Sequence, residues 1–238
     1  MSWKKINYLR HGETNKYDHQ IWLPEPLANW DVYDYWEKER VRSMESKLNK
    51  NDILFDIGAE SGWMSVVFAK FCKVFLIEPT KEFWANIYQT WIKNRTEMPI
   101  GFFSGLIGKE TNITEFPEFD KFPHEILDEM IDKNKYQYIH QHSDDIKMMS
   151  LDDLVKESGV TPTALTIDVE GGEFDVLIGG SKTLLENNLK VWVSIHPDLL
   201  EKDYDNQIDG IHQFMKERGY LGVHLATDHE EHWFYEKR

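Results

Sequence analysis

The chain has 238 residues, with 27 Lys and Arg set against 42 Asp and Glu, which leaves a formal charge of −15. That balance argues against coating nucleic acid or an anionic membrane, because both need a basic face, and no dense Lys/Arg run offsets it. Aromatics make up 13% of the chain, nine Trp among them, which excludes a disordered acidic tail and leaves enough apolar bulk for one α/β domain.

Cys72 is the only cysteine, so an internal disulfide is excluded and a cysteine-based zinc site is not expected. A reducing, cytoplasmic setting fits. Met1 to Arg10 has no apolar core of the kind a secretory signal carries. The most apolar stretch, Gly62 to Pro79, is interrupted by Lys70, Lys73 and Glu78 and does not suit a membrane-spanning helix.

Taken in chain order, residues 1–30 are aromatic and irregular, broken by Pro24 and Pro26. Asp31 is placed to start a helix running to about Leu48, with Val32, Tyr35, Trp36, Met44 and Leu48 on its apolar face. Asp52 to Ile57 is a short apolar run ending at glycine, the pattern of a buried strand. A helix is predicted over Gly62 to Phe71, a strand over Lys73 to Ile77, a long helix over Lys81 to Asn94 and a third strand over Ile100 to Ser104. Residues 105–147 look like an insertion of loops, with a short helix near Ile126 to Met130 and a strand near Tyr136 to His140. Asp152 and Asp153 fall in the first turn of a helix that ends at Ser158-Gly159. There follow a strand over Ala164 to Val169, a helix over Glu173 to Glu186, a strand over Lys190 to Ile195 and a helix over Asp205 to Arg218. Strands at Tyr220 to Leu225 and His232 to Glu236 are joined by a polar turn, Thr227 to Glu230. Strand–helix alternation predicts a mostly parallel sheet with helices on both faces, and the closing pair predicts an antiparallel edge strand. One domain is expected, with residues 1–50 as a lid or helical extension.

Asp56-Ile57-Gly58-Ala59-Glu60-Ser61-Gly62 lies between a strand and a helix, where glycines let the backbone turn tightly and a ligand approach the main chain. Glu78 ends the next strand, about 20 residues on, the place where an acid grips a ribose diol in nucleotide-binding sheets. The dinucleotide pattern G-x-G-x-x-G is missing, and Glu60 puts negative charge where a pyrophosphate would sit. A ligand with an amino group and no phosphate, such as S-adenosyl-L-methionine, suits the loop better. An ordinary strand-to-helix turn is the plainer reading, and Glu78 weighs against it.

Leu165 to Glu173 ends another strand with Asp168, Glu170 and Glu173 around two glycines, and His196 follows the next strand. In an open α/β sheet these positions border one crevice at the carboxyl ends of the strands. A carboxylate beside a histidine suits proton removal from a hydroxyl. The same three groups, Asp168, Glu170 and His196, are also candidate ligands for a divalent metal. Acids just before a helix can instead serve as its caps.

Asp56-Ile57-Gly58-Ala59 with Gly62, then Glu78-Pro79, Ser150-Leu151-Asp152-Asp153-Leu154, Ile167-Asp168-Val169-Glu170-Gly171 with Glu173, and Ile195-His196 occur in the order of the FkbM family, which this sequence resembles over residues 50–200. The resemblance implies an S-adenosyl-L-methionine-dependent methyltransferase with a Rossmann-like class I fold and a seven-stranded sheet. It places Asp56, Gly58, Glu60, Gly62 and Glu78 at the cofactor; Ser104 and Asp168, at neighbouring strand ends, are further candidates for cofactor contact. Asp168, Glu170 and His196 would border the acceptor, with His196 as base. The family usually has Asn where Glu60 stands. O-methyl transfer to a small molecule or glycan, a sugar first, is the expected reaction, with no nucleic-acid partner. A non-catalytic nucleotide-binding module and an NAD-dependent oxidoreductase are the alternatives. Arg10-His11-Gly12 resembles the start of histidine phosphatases, but that chemistry needs its own central sheet strand and further Arg and His residues late in the fold, and the sheet from residue 52 onward is already accounted for by the other pattern. His140 and His142 alternate as on one strand face, which is most simply a solvated face. The N-terminal aromatics are expected mainly to pack, with one or two facing the acceptor.

Overall fold

The computed structural model describes residues 2–7, 20–28, 37–124, 146–199 and 204–238. An antiparallel pair, β1 (Trp3–Asn7) and β2 (Gln20–Pro24), is followed by a single helical turn, α1 (Glu25–Ala28), and by α2 (Lys38–Lys47). Next come β3 (Ile53–Ile57), α3 (Trp63–Phe68), β4 (Lys73–Ile77), α4 (Lys81–Asn94) and β5 (Gly101–Phe103). Two short strands, β6 (Leu106–Gly108) and β7 (Met148–Ser150), lie on either side of residues 125–145. The chain continues through α5 (Leu151–Ser158), β8 (Ala164–Ile167), α6 (Glu173–Gly179), α7 (Ser181–Glu186) and β9 (Lys190–Ile195). It closes with α8 (Tyr204–Glu217), β10 (Tyr220–Thr227) and β11 (Glu231–Lys237).

The main sheet has seven strands in the order β10-β11-β9-β8-β3-β4-β5. From β9 to β5 every pairing is parallel, and β11 runs against both of its neighbours. The reversed strand therefore lies one place in from the edge rather than at it, because the β10–β11 hairpin inserts its second strand beside β9. Period-two alternation sends successive side chains to opposite faces. Leu54, Leu76 and Trp192 pack with α2, α3 and α4, whereas Phe55, Ile77 and Val193 pack with the layer of α5 to α8. Coverage on both faces explains why these strands read as unbroken apolar runs.

Several predicted boundaries shift. The helix expected from Gly62 to Phe71 is regular only to Phe68. The helix expected over Glu173 to Glu186 is two helices, α6 and α7, which break at Gly180. A Cβ on Gly180 would stand 2.6 Å from Leu151 Cδ2, so the break admits the close approach of α5. The helix expected from Asp31 is seen from Lys38, and residues 31–36 lie outside the described residues. So do the Arg10-His11-Gly12 motif, Ile126 to Met130, Tyr136 to His140, and His142. Trp3 and Trp22 are described, and both carry the Lys93 ammonium over their rings, at 5.5 and 4.9 Å. No described helix is long and apolar enough to cross a membrane.

The acids at the start of α5 are structural. Ser150 caps α5 by accepting the Asp153 N–H at 3.1 Å. Asp152 reaches across to α7, accepting the Thr183 N–H at 2.7 Å and the Lys182 N–H at 3.0 Å. Asp152→Ala is expected to cost about 1–2 kcal/mol, a fall in Tm of about 2–8 °C by thermal denaturation, through loss of those caps.

Candidate active site

All five parallel strands end on one edge of the sheet, and the loops leaving them carry the expected residues. After β3 the backbone turns back sharply. The Gly58 and Ala59 N–H groups both donate to Ile77 O at 3.0 Å, which pins the loop to the end of β4. Gly58 has φ +90°, and a Cβ there would stand 1.8 Å from Asp168 O. This glycine is needed both for its conformation and because the β8 loop lies directly against it. Gly62, at φ +77°, starts α3.

Glu78 is buried and serves this loop directly. Its Oε2 accepts the Glu60 N–H at 2.8 Å, and its Oε1 accepts the Thr80 N–H at 2.7 Å. Burial nonetheless lifts the Glu78 carboxyl from 4.5 to about 7, with these two bonds opposing the rise. Glu60 itself sits at φ +48° and contributes through its backbone. Ser104 directly follows β5 and is half-buried at the same edge. Asp56 is turned inward instead. It is buried, accepts the Ser65 hydroxyl of α3, and is lifted by burial to about 6. It secures the loop from beneath, at the start of the glycine turn.

On the other side, the structure brings Asp168, Glu170 and His196 together as expected. His196 Nε2 lies 3.5 Å from Asp168 Oδ1 and 3.7 Å from Glu170 Oε2. Neither acid caps α6, whose N-cap is Gly172 with no side-chain bond. Glu170 is mostly exposed at φ +54°. Two stronger partners hold the ring. Nδ1 meets Glu173 Oε1 at 2.9 Å, and Nε2 meets Glu230 Oε2 at 3.0 Å, with both glutamates fully buried. Burial pulls the His196 pKa down, but Glu173, Glu230 and Asp168 carry it up to about 11. These acids favour protonation of the ring when no other cation takes their charge, which modifies the role of simple base expected for it.

Behind these groups lies a buried polar network that the sequence reading missed. Arg40 of α2 is 3% exposed. Its Nη1 donates to Asp168 Oδ2 at 3.0 Å and to Ser194 Oγ at 2.6 Å, and its Nε lies 2.6 Å from Glu37 Oε2. Ser194 Oγ also meets His232 Nδ1 at 3.0 Å, and Asp228 meets His232 Nε2 while accepting the Glu37 N–H at 3.1 Å. Burial raises Glu37 well above the ordinary carboxylate range, with Arg40 opposing. Burial, reinforced by the Glu230 charge and opposed by Arg40, lifts Asp168 to about 7. Burial would also raise Glu230, but His196, His229 and Arg40 hold it far below 4.5.

Two signals pointed to this network. Glu37, Arg40, Val41, Met44, Glu45 and Leu48 form one buried helical stripe with charges inside it. And β11 pairs antiparallel with β9, Glu231 opposite Ile195, so the residue before Glu231 must stand beside His196.

The strand order, the reversed β11 and the loop–acid pair at the ends of β3 and β4 define a Rossmann-like class I methyltransferase fold. The family model described as "Methyltransferase FkbM domain" matches residues 56–221, and the chain belongs to the FkbM methyltransferase family. Among solved structures it is similar to a methyltransferase FkbM from Methylobacillus flagellatus KT, with TM-score 0.52 and 16% identity. That match covers 80% of this chain and 44% of the other, so this chain spans less than half of that protein's length. A precorrin-6y C5,15-methyltransferase from Geobacter metallireducens GS-15 gives TM-score 0.48 at 12% identity over 84% of this chain and 88% of that one. An rRNA methylase from Streptococcus thermophilus gives 0.49 at 12% over 83% and 93%. No curated protein matches the sequence.

Proposed function

We propose that the protein transfers a methyl group from S-adenosyl-L-methionine to a hydroxyl of a small molecule or glycan, a sugar first. The observation that carries the cofactor is the Glu78 carboxylate held against the Glu60 N–H, which sets an acid beside a tight glycine loop where an adenosine diol would lie. The surrounding acids suit a ligand with an ammonium and a sulfonium. The reaction is an in-line displacement at a cationic methyl, so the protein's task is to align donor and acceptor and to receive the hydroxyl proton. Within the His196 cluster the Asp168 side chain is 23% exposed, more open than Glu173 or Glu230. Arg40 holds Oδ2, which leaves Oδ1 facing the His196 ring. The hydroxyl proton leaves toward this Asp168–His196 pair, with Glu170 at its rim. The 105–147 segment and the N-terminal region supply acceptor walls in this reading, and the charge of −15 favours a neutral acceptor over RNA.

Isothermal calorimetry with S-adenosylmethionine and S-adenosylhomocysteine tests the cofactor, and absence of binding to both would overturn the proposal. Asp168→Asn is expected to bind S-adenosylhomocysteine within about threefold of the parent while losing at least about a hundredfold in kcat.

Glu78 adds a pH signature. Its pKa is raised in the folded state, so its contribution to stability is complete below 4.5 and is lost as pH rises through about 7. A ribose diol donates to the ionised carboxylate, so cofactor binding runs the other way. S-adenosylhomocysteine affinity is expected to rise about tenfold from pH 6 to pH 8, and Glu78→Gln to flatten that rise as well as weaken binding.

A further inference from the structure

Arg40 is the one buried Lys or Arg among the described residues, yet the buried acids around it include Glu37, Asp56, Glu173 and Glu230. A buried cluster of acids of this size is a place where a cation can be held. Glu230 Oε1 lies 3.0 Å from His229 Nε2, whereas Oε2 has room for a further partner. The residue is 1% exposed, and its Oε2 accepts no hydrogen bond. His196 Nε2 stands 3.0 Å from that oxygen without making an aligned hydrogen bond to it. Asp168 Oδ1 lies 3.5 Å from the same nitrogen.

We propose that Asp168 Oδ1, His196 Nε2 and Glu230 Oε2 form a binding site for a divalent first-row transition cation. Asp168, His196 and Glu230 each offer one ligand atom within 4.8 Å of the other two. Neighbouring donors on an ion with bonds of about 2.1 Å stand about 3.0–3.4 Å apart, which the two measured separations approach. The supports of the site are also built. Glu173 Oε1 takes the Nδ1 hydrogen of His196 and also accepts the Gly171 N–H at 3.0 Å, which turns Nε2 toward the ion. A carboxylate on the far nitrogen of a histidine is the usual way of orienting a metal-binding imidazole. Arg40 fixes Asp168 Oδ2 and so aims Oδ1 inward. One imidazole with two carboxylates suits Mn²⁺ or Zn²⁺, whereas Ca²⁺ asks for six or more oxygens. Glu170 and the solvent-facing side of Asp168 border the remaining coordination positions. There an acceptor hydroxyl would bind and become easier to deprotonate, a use that rests on the methyl-transfer reading. Of the ligands, Glu230 was outside the set expected from sequence, and Glu170 is the more distant alternative.

The test is titration of the full chain with Mn²⁺, with free Mn²⁺ read by electron paramagnetic resonance. One saturable site is expected, at least tenfold weaker in Glu230→Gln, unchanged within twofold in the exposed control Glu118→Gln, and at least tenfold weaker for Ca²⁺ in competition. Absence of a saturable site in the parent, or parent-like binding by Glu230→Gln, overturns the proposal. If circular dichroism shows Glu230→Gln to be unfolded, Asp168→Asn takes its place, with the same tenfold loss expected and the same outcome overturning. Calorimetry with S-adenosylhomocysteine on the same samples separates the two readings. Cofactor binding without a Mn²⁺ site overturns the cation site alone, and a Mn²⁺ site without cofactor binding supports it while overturning the methyl-transfer reading.

Discussion

Arg40→Ala is expected to lower stability by about 3–5 kcal/mol, measured as a shift of the urea midpoint at constant m-value. The size follows from what would remain. Arg40 serves Glu37, Asp168 and Ser194 at once from a position 3% exposed. Removing it strands Glu37 at the N-cap of α2 and Asp168 after β8 in a medium that solvates charge poorly. Lysine offers no rescue, because one ammonium cannot reproduce contacts made by separate nitrogens of a planar fork. Adding Glu37→Gln should recover part of the loss, since the stranded charge goes with it, and the double-mutant cycle measures that coupling. Methyl transfer should fall as well, because Asp168 Oδ1 is aimed by the bond on Oδ2. A cost under about 1 kcal/mol would mean that α2 is not anchored through this residue.

Gly58→Ala is the second large effect. The new methyl would stand 1.8 Å from Asp168 O, a backbone atom with no freedom to turn aside. Asp168 N in turn donates to Ile57 O at 3.0 Å, so relief requires the ends of β3 and β8 to part. A loss of about 3 kcal/mol or more and abolished S-adenosylhomocysteine binding are expected. Gly159→Ala separates the space effect from the conformational one. Gly159 has φ +68° but nothing within 4 Å of its added Cβ. It should cost only the positive-φ penalty, about 1 kcal/mol. Equal losses at the two glycines would show that Asp168 O does not constrain the loop.

The parts of the molecule that sequence reading recovered are those determined locally. β4, α4 and β9 fall where the apolar pattern placed them, because a strand buried on both faces and a helix with a single stripe declare themselves within a few residues. The break between α6 and α7 was missed, although Gly179-Gly180 marked it, because the reason for it is Leu151 on another helix. The site divides in the same way. Gly58, Glu78, Asp168 and His196 were legible because each follows a strand of the parallel sheet. Glu230 was hidden in what read as a polar turn, and its place beside His196 depends on the register of β11 against β9. Arg40 was hidden because the helix was read for its apolar positions, and a charge on the buried stripe has meaning only once Asp168 and Ser194 stand opposite it.

That same register has a consequence for how the chain matures. During synthesis, β9 leaves the ribosome well before β11, so Val191, Trp192 and Val193 spend that interval on an open, apolar sheet edge. Only when the last hairpin folds back does Glu231 pair with Ile195 and Glu230 reach His196. Sealing of the hazardous edge and completion of the polar cluster are thus one event. A nascent chain halted before that hairpin would keep the apolar edge open and lack the contact of Glu230 with His196.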